Sequence, residues 1–188
     1  LYDFSQVPIP TDNVGAQQTA MPRPWHMGTI ARFILFIGPI SSIFDYTTYA
    51  MMWFVFKCNH LALGAPAGIT IRFAGAMGAD QTYAAALFHT GWFVESLATQ
   101  TLVLFVIRTS GSPLASRPSR PLAITTLAIV AVGLLLPATP LAPLLGCVVP
   151  PVAFFAFLAA ATAAYLCLVE IVKRRLVARN AAPPIHVP

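Results

Sequence analysis

Arg32–Phe56 reads RFILFIGPISSIFDYTTYAMMWFVF, and the fold turns on how that stretch is placed. As a helix rising ~1.5 Å per residue it covers ~37 Å, enough to cross a hydrocarbon core ~30 Å thick. A carboxylate, Asp45, nonetheless falls near its middle. With roughly 100° between successive residues, Gly38, Ser41, Ser42, Thr48, Tyr49 and Met52 lie within about 60° of Asp45. One face is small and polar and the rest is apolar. That face is expected to meet other helices, not lipid.

The whole chain follows the same logic. Hydrophobic residues make up 57% of it and charged residues 9%, against about 25% charge in soluble domains. The fold class expected is therefore all-α, an integral membrane helical bundle. The net charge of +5 gathers beside the apolar runs, where basic residues set orientation and meet anionic headgroups. The bilayer is the partner this implies, and nucleic acid is not. No phosphate-binding glycine loop, nucleophile with an adjacent base, or aromatic-basic RNA surface occurs. The three cysteines include no CxxC pair, which excludes a zinc framework. Cys58 and Cys147 fall on the same membrane side, where a disulfide is allowed, but unpaired thiols are expected. Cys167 sits within a span.

Residues 1–28 read as a polar connector, with Pro8, Pro10, Pro22 and Pro24 blocking helix. Pro10-Thr11-Asp12-Asn13 suits a turn, and Trp25 beside Arg23 suits an interfacial anchor. The opening LYDFSQ has no charged n-region before an apolar run, so it is no signal peptide. It reads as the end of a helix whose beginning is missing. A four-helix membrane domain over 29–175 follows, with spans at about 30–56, 83–107, 122–137 and 152–172, and a tail over 176–188. Pro39 is expected to kink the first span.

Orientation follows from the basic residues. Of the 11 Lys and Arg, only Lys57 and Arg72 fall on one side. Arg23, Arg32, Arg108, Arg117, Arg120, Lys173, Arg174, Arg175 and Arg179 fall on the other. The positive-inside rule places the richer side, and with it both termini, in the cytoplasm.

Chemistry rests on the intramembrane acids. A carboxylate at the bilayer centre costs roughly 2.5–3.5 kcal/mol unless it pairs, binds a cation or stays protonated. Glu95 lies mid-span with Gly91, Ala98, Thr99 and Leu102 on its face, while His89, Ser96 and Gln100 form a second polar stripe. A helix polar on two sides is surrounded by protein or lines a cavity. Glu95 is read as an ion ligand or pathway residue. Asp45 is read as structural first, hydrogen-bonded by Ser41, Ser42 or Tyr49, and as a metal ligand second. His89 is read as a buried packing residue, and Trp53 and Trp92 as packing or interface residues. Asp3, beside Tyr2, has the position of an ordinary helix-end residue.

The runs LYDFSQVPIPTDNV, RFILFIGPISSIFDYTTYAMMWFVF and LFHTGWFVESLATQTLVLFVIRT occur in that order. With SRPSRPL, LPATPLAP and VKRR they closely resemble the C-terminal membrane region of bacterial magnesium-transporting P-type ATPases, over nearly the whole chain. The resemblance implies that Leu1–Gln6 ends the sixth transmembrane helix and that the four spans are helices seven to ten. It places Asp3 on an acidic cation-site position of the sixth helix and Glu95 on an ion-site position of the eighth. It gives Asp45 no firm ligand role. It further implies magnesium as the transported ion, carried inward across the bacterial inner membrane. ATP would be bound by domains absent from this chain, and those domains with helices one to six would be its partner. Alone, the chain is not expected to catalyse. The alternatives are a stand-alone or truncated four-helix membrane protein with a structural or regulatory role, and half of a secondary transporter. The latter predicts an inverted repeat, which the sequence lacks.

Overall fold

The computed structural model describes residues 1–13, 27–58, 79–109, 111–113 and 116–180. The anchor expected at Arg23 and Trp25, and the loop carrying Arg72, lie outside them. Among the described residues five α-helices follow one another: α1 (Tyr2–Gln6), α2 (Met27–Ala50), α3 (Ala79–Ile107), α4 (Arg120–Leu135) and α5 (Val152–Asn180). No strand occurs among the described residues, so the all-α expectation holds.

Among the described residues, three segments are long and apolar enough to cross a membrane: Tyr83–Ile107, Arg120–Ala138 and Val152–Val177. These are the second, third and fourth expected spans. The second lies within α3, which begins before it at Ala79 and ends with it at Ile107, and the fourth continues as helix beyond its expected end at 172. The first expected span, α2, is not among the three. It is nevertheless helical straight through Pro39. Past Ala50 it widens into a π-helical turn over Met51–Val55, where the Phe56 N–H reaches back to Met51 O at 3.1 Å.

Helix α3 is the hub, packing against α1, α2, α4 and α5. Its apolar window is 61% buried, against 22% and 28% for those of α4 and α5. The Glu95 face is covered by these neighbours, while His89 and Gln100 of the second polar stripe stay exposed. Two apolar clusters hold the bundle. One gathers Met52, Leu87, Val94, Ala98, Phe154 and Leu158, and the other Ile40, Val106, Tyr165 and Val169. Small residues bring the helices close. A Cβ at Gly133 would meet the end of the Leu97 side chain of α3, so a larger residue there would require Leu97 to turn aside.

Helix ends are fixed by local chemistry. Ser119 is extended and its hydroxyl accepts the Leu122 N–H at 3.4 Å, capping α4, with Pro121 in the first turn. Between α4 and α5 the proline-rich turn closes at Gly146, whose φ of 67° suits glycine. It docks on α3 through the Val148 N–H, which donates to Thr90 Oγ1 at 3.1 Å. The turn expected at Pro10–Asn13 falls earlier, as a 3-10 turn over Ile9–Thr11 with Thr11 N–H donating to Pro8 O and Asp12 N–H to Ile9 O, after which Asp12 is extended. All three cysteines are free.

Candidate functional site

Glu95 stands one turn from Gly91 on α3, and the face expected of it is buried: Gly91, Ala98 and Thr99 with Glu95 itself, which is 1% exposed. That face meets α2. A Cβ at Gly91 would come within 2.7 Å of the Met52 thioether, so the missing side chain lets Met52, fully buried, lie across α3. The helices run antiparallel. Asp45 meets Trp92 and, two turns further along α2, Trp53 meets Phe88. One turn back from Met52 is Thr48 and one turn on from Gly91 is Glu95, so these two stand at one level.

The electrostatics are unusual for a carboxylate. Thr48 and Thr99 are its hydroxyl neighbours, and Asp45 acts on it as a like charge. Thr99 Oγ1 is nevertheless turned to its own helix, donating to Glu95 O at 3.0 Å. Glu95 Oε2 and Thr48 Oγ1 are both buried and complete no hydrogen bond. Among the described residues no Lys or Arg forms an ion pair with Glu95. Carboxylate oxygen left this way is costly. A proton or a bound cation removes that cost.

Asp45 is placed differently. It is half-buried, and its Oδ1 accepts the Trp92 indole N–H at 3.3 Å. The partner therefore comes from α3, and not from Ser41, Ser42 or Tyr49 as the one-helix reading expects. Ser42 instead donates to Gly38 O. Trp92, read as packing, carries this bond and also stacks edge-on with Tyr49 at 5.5 Å. Asp3 lies exposed in the first turn of α1, a helix that packs on α4 and α3. His89, expected buried, is exposed. Ser96 and Gln100 of its stripe bond each other at 2.8 Å. No group of three or more His, Cys, Asp or Glu converges among the described residues. An oxygen site here would therefore have to draw on hydroxyls, backbone carbonyls and water.

A second polar centre ties the basic end together. Lys173, read as part of a headgroup-facing basic cluster, is 3% exposed. Its ammonium donates to Val106 O and Gly111 O, each at 2.9 Å, and pairs with Glu170 at 2.6 Å. It thereby caps the carbonyl end of α3 from α5. Nothing in the tail's charge pattern marks it. Only the contact with α3 does.

The family described as "Cation transporting ATPase, C-terminus" matches residues 21–175. A protein of Salmonella typhimurium strain LT2 named "Magnesium-transporting ATPase, P-type 1" is 36% identical over 95% of this chain, which covers 18% of that relative. One of the same name from Escherichia coli K12 is 40% identical over 92% of the chain, covering 17% of its own length. The chain thus spans less than a fifth of the curated relatives it matches.

Proposed function

The chain belongs to the cation-transporting ATPase C-terminal family, and from that premise we propose that it forms the C-terminal membrane part of an ATP-driven magnesium transporter of the bacterial cell membrane. In this reading α2 is the fourth crossing beside α3, α4 and α5, α1 is the end of the preceding helix, and both termini are cytoplasmic. ATP is bound and the phosphoryl group transferred in parts of the pump outside this chain. What this chain supplies is a rigid helical support and one wall of the cation path.

The observation that carries the reading is Glu95: a fully buried carboxylate, on the helix most enclosed by protein, with an oxygen left unpartnered. Magnesium takes oxygen ligands in near-octahedral geometry and keeps several waters, so one or two carboxylates suffice. Glu95 is one. Asp3, at the end of the preceding helix, is the second. Asp45, already bonded by Trp92, holds α2 on α3.

The test is Glu95→Gln in the full-length pump, beside Asp45→Asn. In cells lacking other magnesium uptake, Glu95→Gln is expected to abolish magnesium-limited growth and magnesium flux at normal pump abundance. Asp45→Asn is expected to retain most of both. Unchanged flux in Glu95→Gln would remove Glu95 from the path.

A further inference from the structure

We propose that Thr48 of α2 is part of the same cation site, its hydroxyl facing Glu95 across the α2–α3 interface as a second oxygen toward a divalent cation. The proposal rests on Glu95 being a cation ligand and names what completes that ligand.

Three observations carry it. Met52 packs over Gly91, and with the helices antiparallel that contact sets Thr48 level with Glu95. Both side chains are sealed from solvent, Thr48 at 0% and Glu95 at 1%. Each also holds an oxygen with no hydrogen bond. A threonine in a membrane helix ordinarily spends its hydroxyl on the carbonyl one turn back, as Thr47 does on Ile43 O and Thr90 on Ala86 O, both at 2.7 Å. Thr99, the other hydroxyl beside the carboxylate, does the same. Thr48 does not, and in this it is joined by Thr101, Thr126 and Thr162; of these four, Thr48 is the one beside the Glu95 carboxylate. Two unspent oxygens from two helices, facing each other in a dry interface, suit a small hard cation with its waters. The π-helical turn over Met51–Val55 begins three residues on from Thr48, and such turns gather at functional sites.

Stability and binding should then move in opposite directions. Thr48→Val keeps the shape and removes a buried, unsatisfied hydroxyl, so a purely structural Thr48 would be replaced at no loss. A hydroxyl kept for a cation would be missed only by the cation.

The experiment uses the full-length pump in cells lacking other magnesium uptake, with magnesium itself as the probe and pump abundance matched. The half-saturating magnesium concentration and the maximal flux are read for Thr48→Val, Thr48→Ser and Glu95→Gln, with the melting temperature of each purified pump. Expected for Thr48→Val is a half-saturating concentration raised about tenfold, a maximal flux within about twofold, and an equal or higher melting temperature. Thr48→Ser is expected to restore the concentration to within about threefold. If Thr48→Val fails to accumulate, Thr48→Ala against Thr48→Ser makes the same comparison. A half-saturating concentration unchanged in Thr48→Val, while Glu95→Gln loses flux, overturns the role of Thr48 and leaves Glu95 standing. Unchanged flux in Glu95→Gln overturns the parent reading and this one with it.

Discussion

Arg108, at the end of α3, and Asp12, in the connector after α1, form an ion pair of 3.0 Å with each side chain 4% exposed. The pair is a junction and not an isolated contact. Asp12 Oδ1 also accepts the Ser119 N–H at 2.9 Å, at the cap of α4, and the Arg108 guanidinium donates to Ser116 O. Ser116 Oγ in turn donates to Asn13 O at 3.4 Å. One buried pair thus ties together the connector after α1, the end of α3 and the start of α4.

Breaking it should be felt globally. A buried charge left alone costs about 3–5 kcal/mol. Arg108→Gln, which strands Asp12, is therefore expected to destabilise by about 3 kcal/mol, seen as a lowered melting temperature in detergent. Asp12→Asn, which keeps an oxygen for the Ser119 N–H, should cost less. Equal melting temperatures for Arg108→Gln and wild type would show the pair to be energetically silent.

The same junction predicts a pH dependence. Burial alone raises the Asp12 carboxyl, but the Ser119 N–H, the hydrogen bond and charge of Arg108 and the Asn13 N–H outweigh it and hold the group below its ordinary 3.8. The folded state then binds this proton less readily than the unfolded one. Its stabilisation is complete above the unfolded value and is lost as pH falls through the folded one. Melting temperature should drop on acidification below about pH 4, and Asp12→Asn should flatten that limb of the curve.

Lys173 offers a separate test. Lys173→Met keeps the length of the side chain but removes both carbonyl bonds and leaves Glu170 with Arg174 alone. A loss of about 2–4 kcal/mol is expected, with earlier proteolysis in the loop after Ile107. Unaltered cleavage there would mean that the α3 end holds without its cap.

Gly91 tests the register on which the Thr48–Glu95 level depends. Gly91→Ala meets only the flexible end of Met52, so a cost of about 1 kcal/mol and retained flux are expected. Gly91→Leu cannot be absorbed by Met52 alone, and should cost about 3 kcal/mol and lower magnesium flux. Full flux in Gly91→Leu would argue against a fixed α2–α3 approach.

Cys58 carries a chemical prediction. Burial pushes its thiol up to about 11, so at neutral pH it should react far more slowly with a maleimide than an ordinary exposed thiol. Labelling followed by mass spectrometry reads this directly. Prompt modification of Cys58 would contradict its burial.

Much of the molecule was written in the order of its residues. Apolar length and the scarcity of charge determined a membrane bundle, because uncompensated charge is costly in lipid and a backbone there must bond itself. The second span was placed within α3, ending with it at Ile107, and wheel geometry alone put Gly91, Ala98 and Thr99 on the buried face of Glu95. Both depend only on one helix and its period. What the tertiary structure decided are matters between helices. Trp92, not a neighbour on α2, bonds Asp45. Lys173, indistinguishable in sequence from the arginines beside it, turns inward because α3 ends within its reach. His89, equally polar in the sequence, turns outward. Thr48 comes level with Glu95 where Met52 packs over Gly91. Periodicity fixes which side of a helix a residue occupies; it carries no information on which residue of another helix arrives there, and that is set by packing and register.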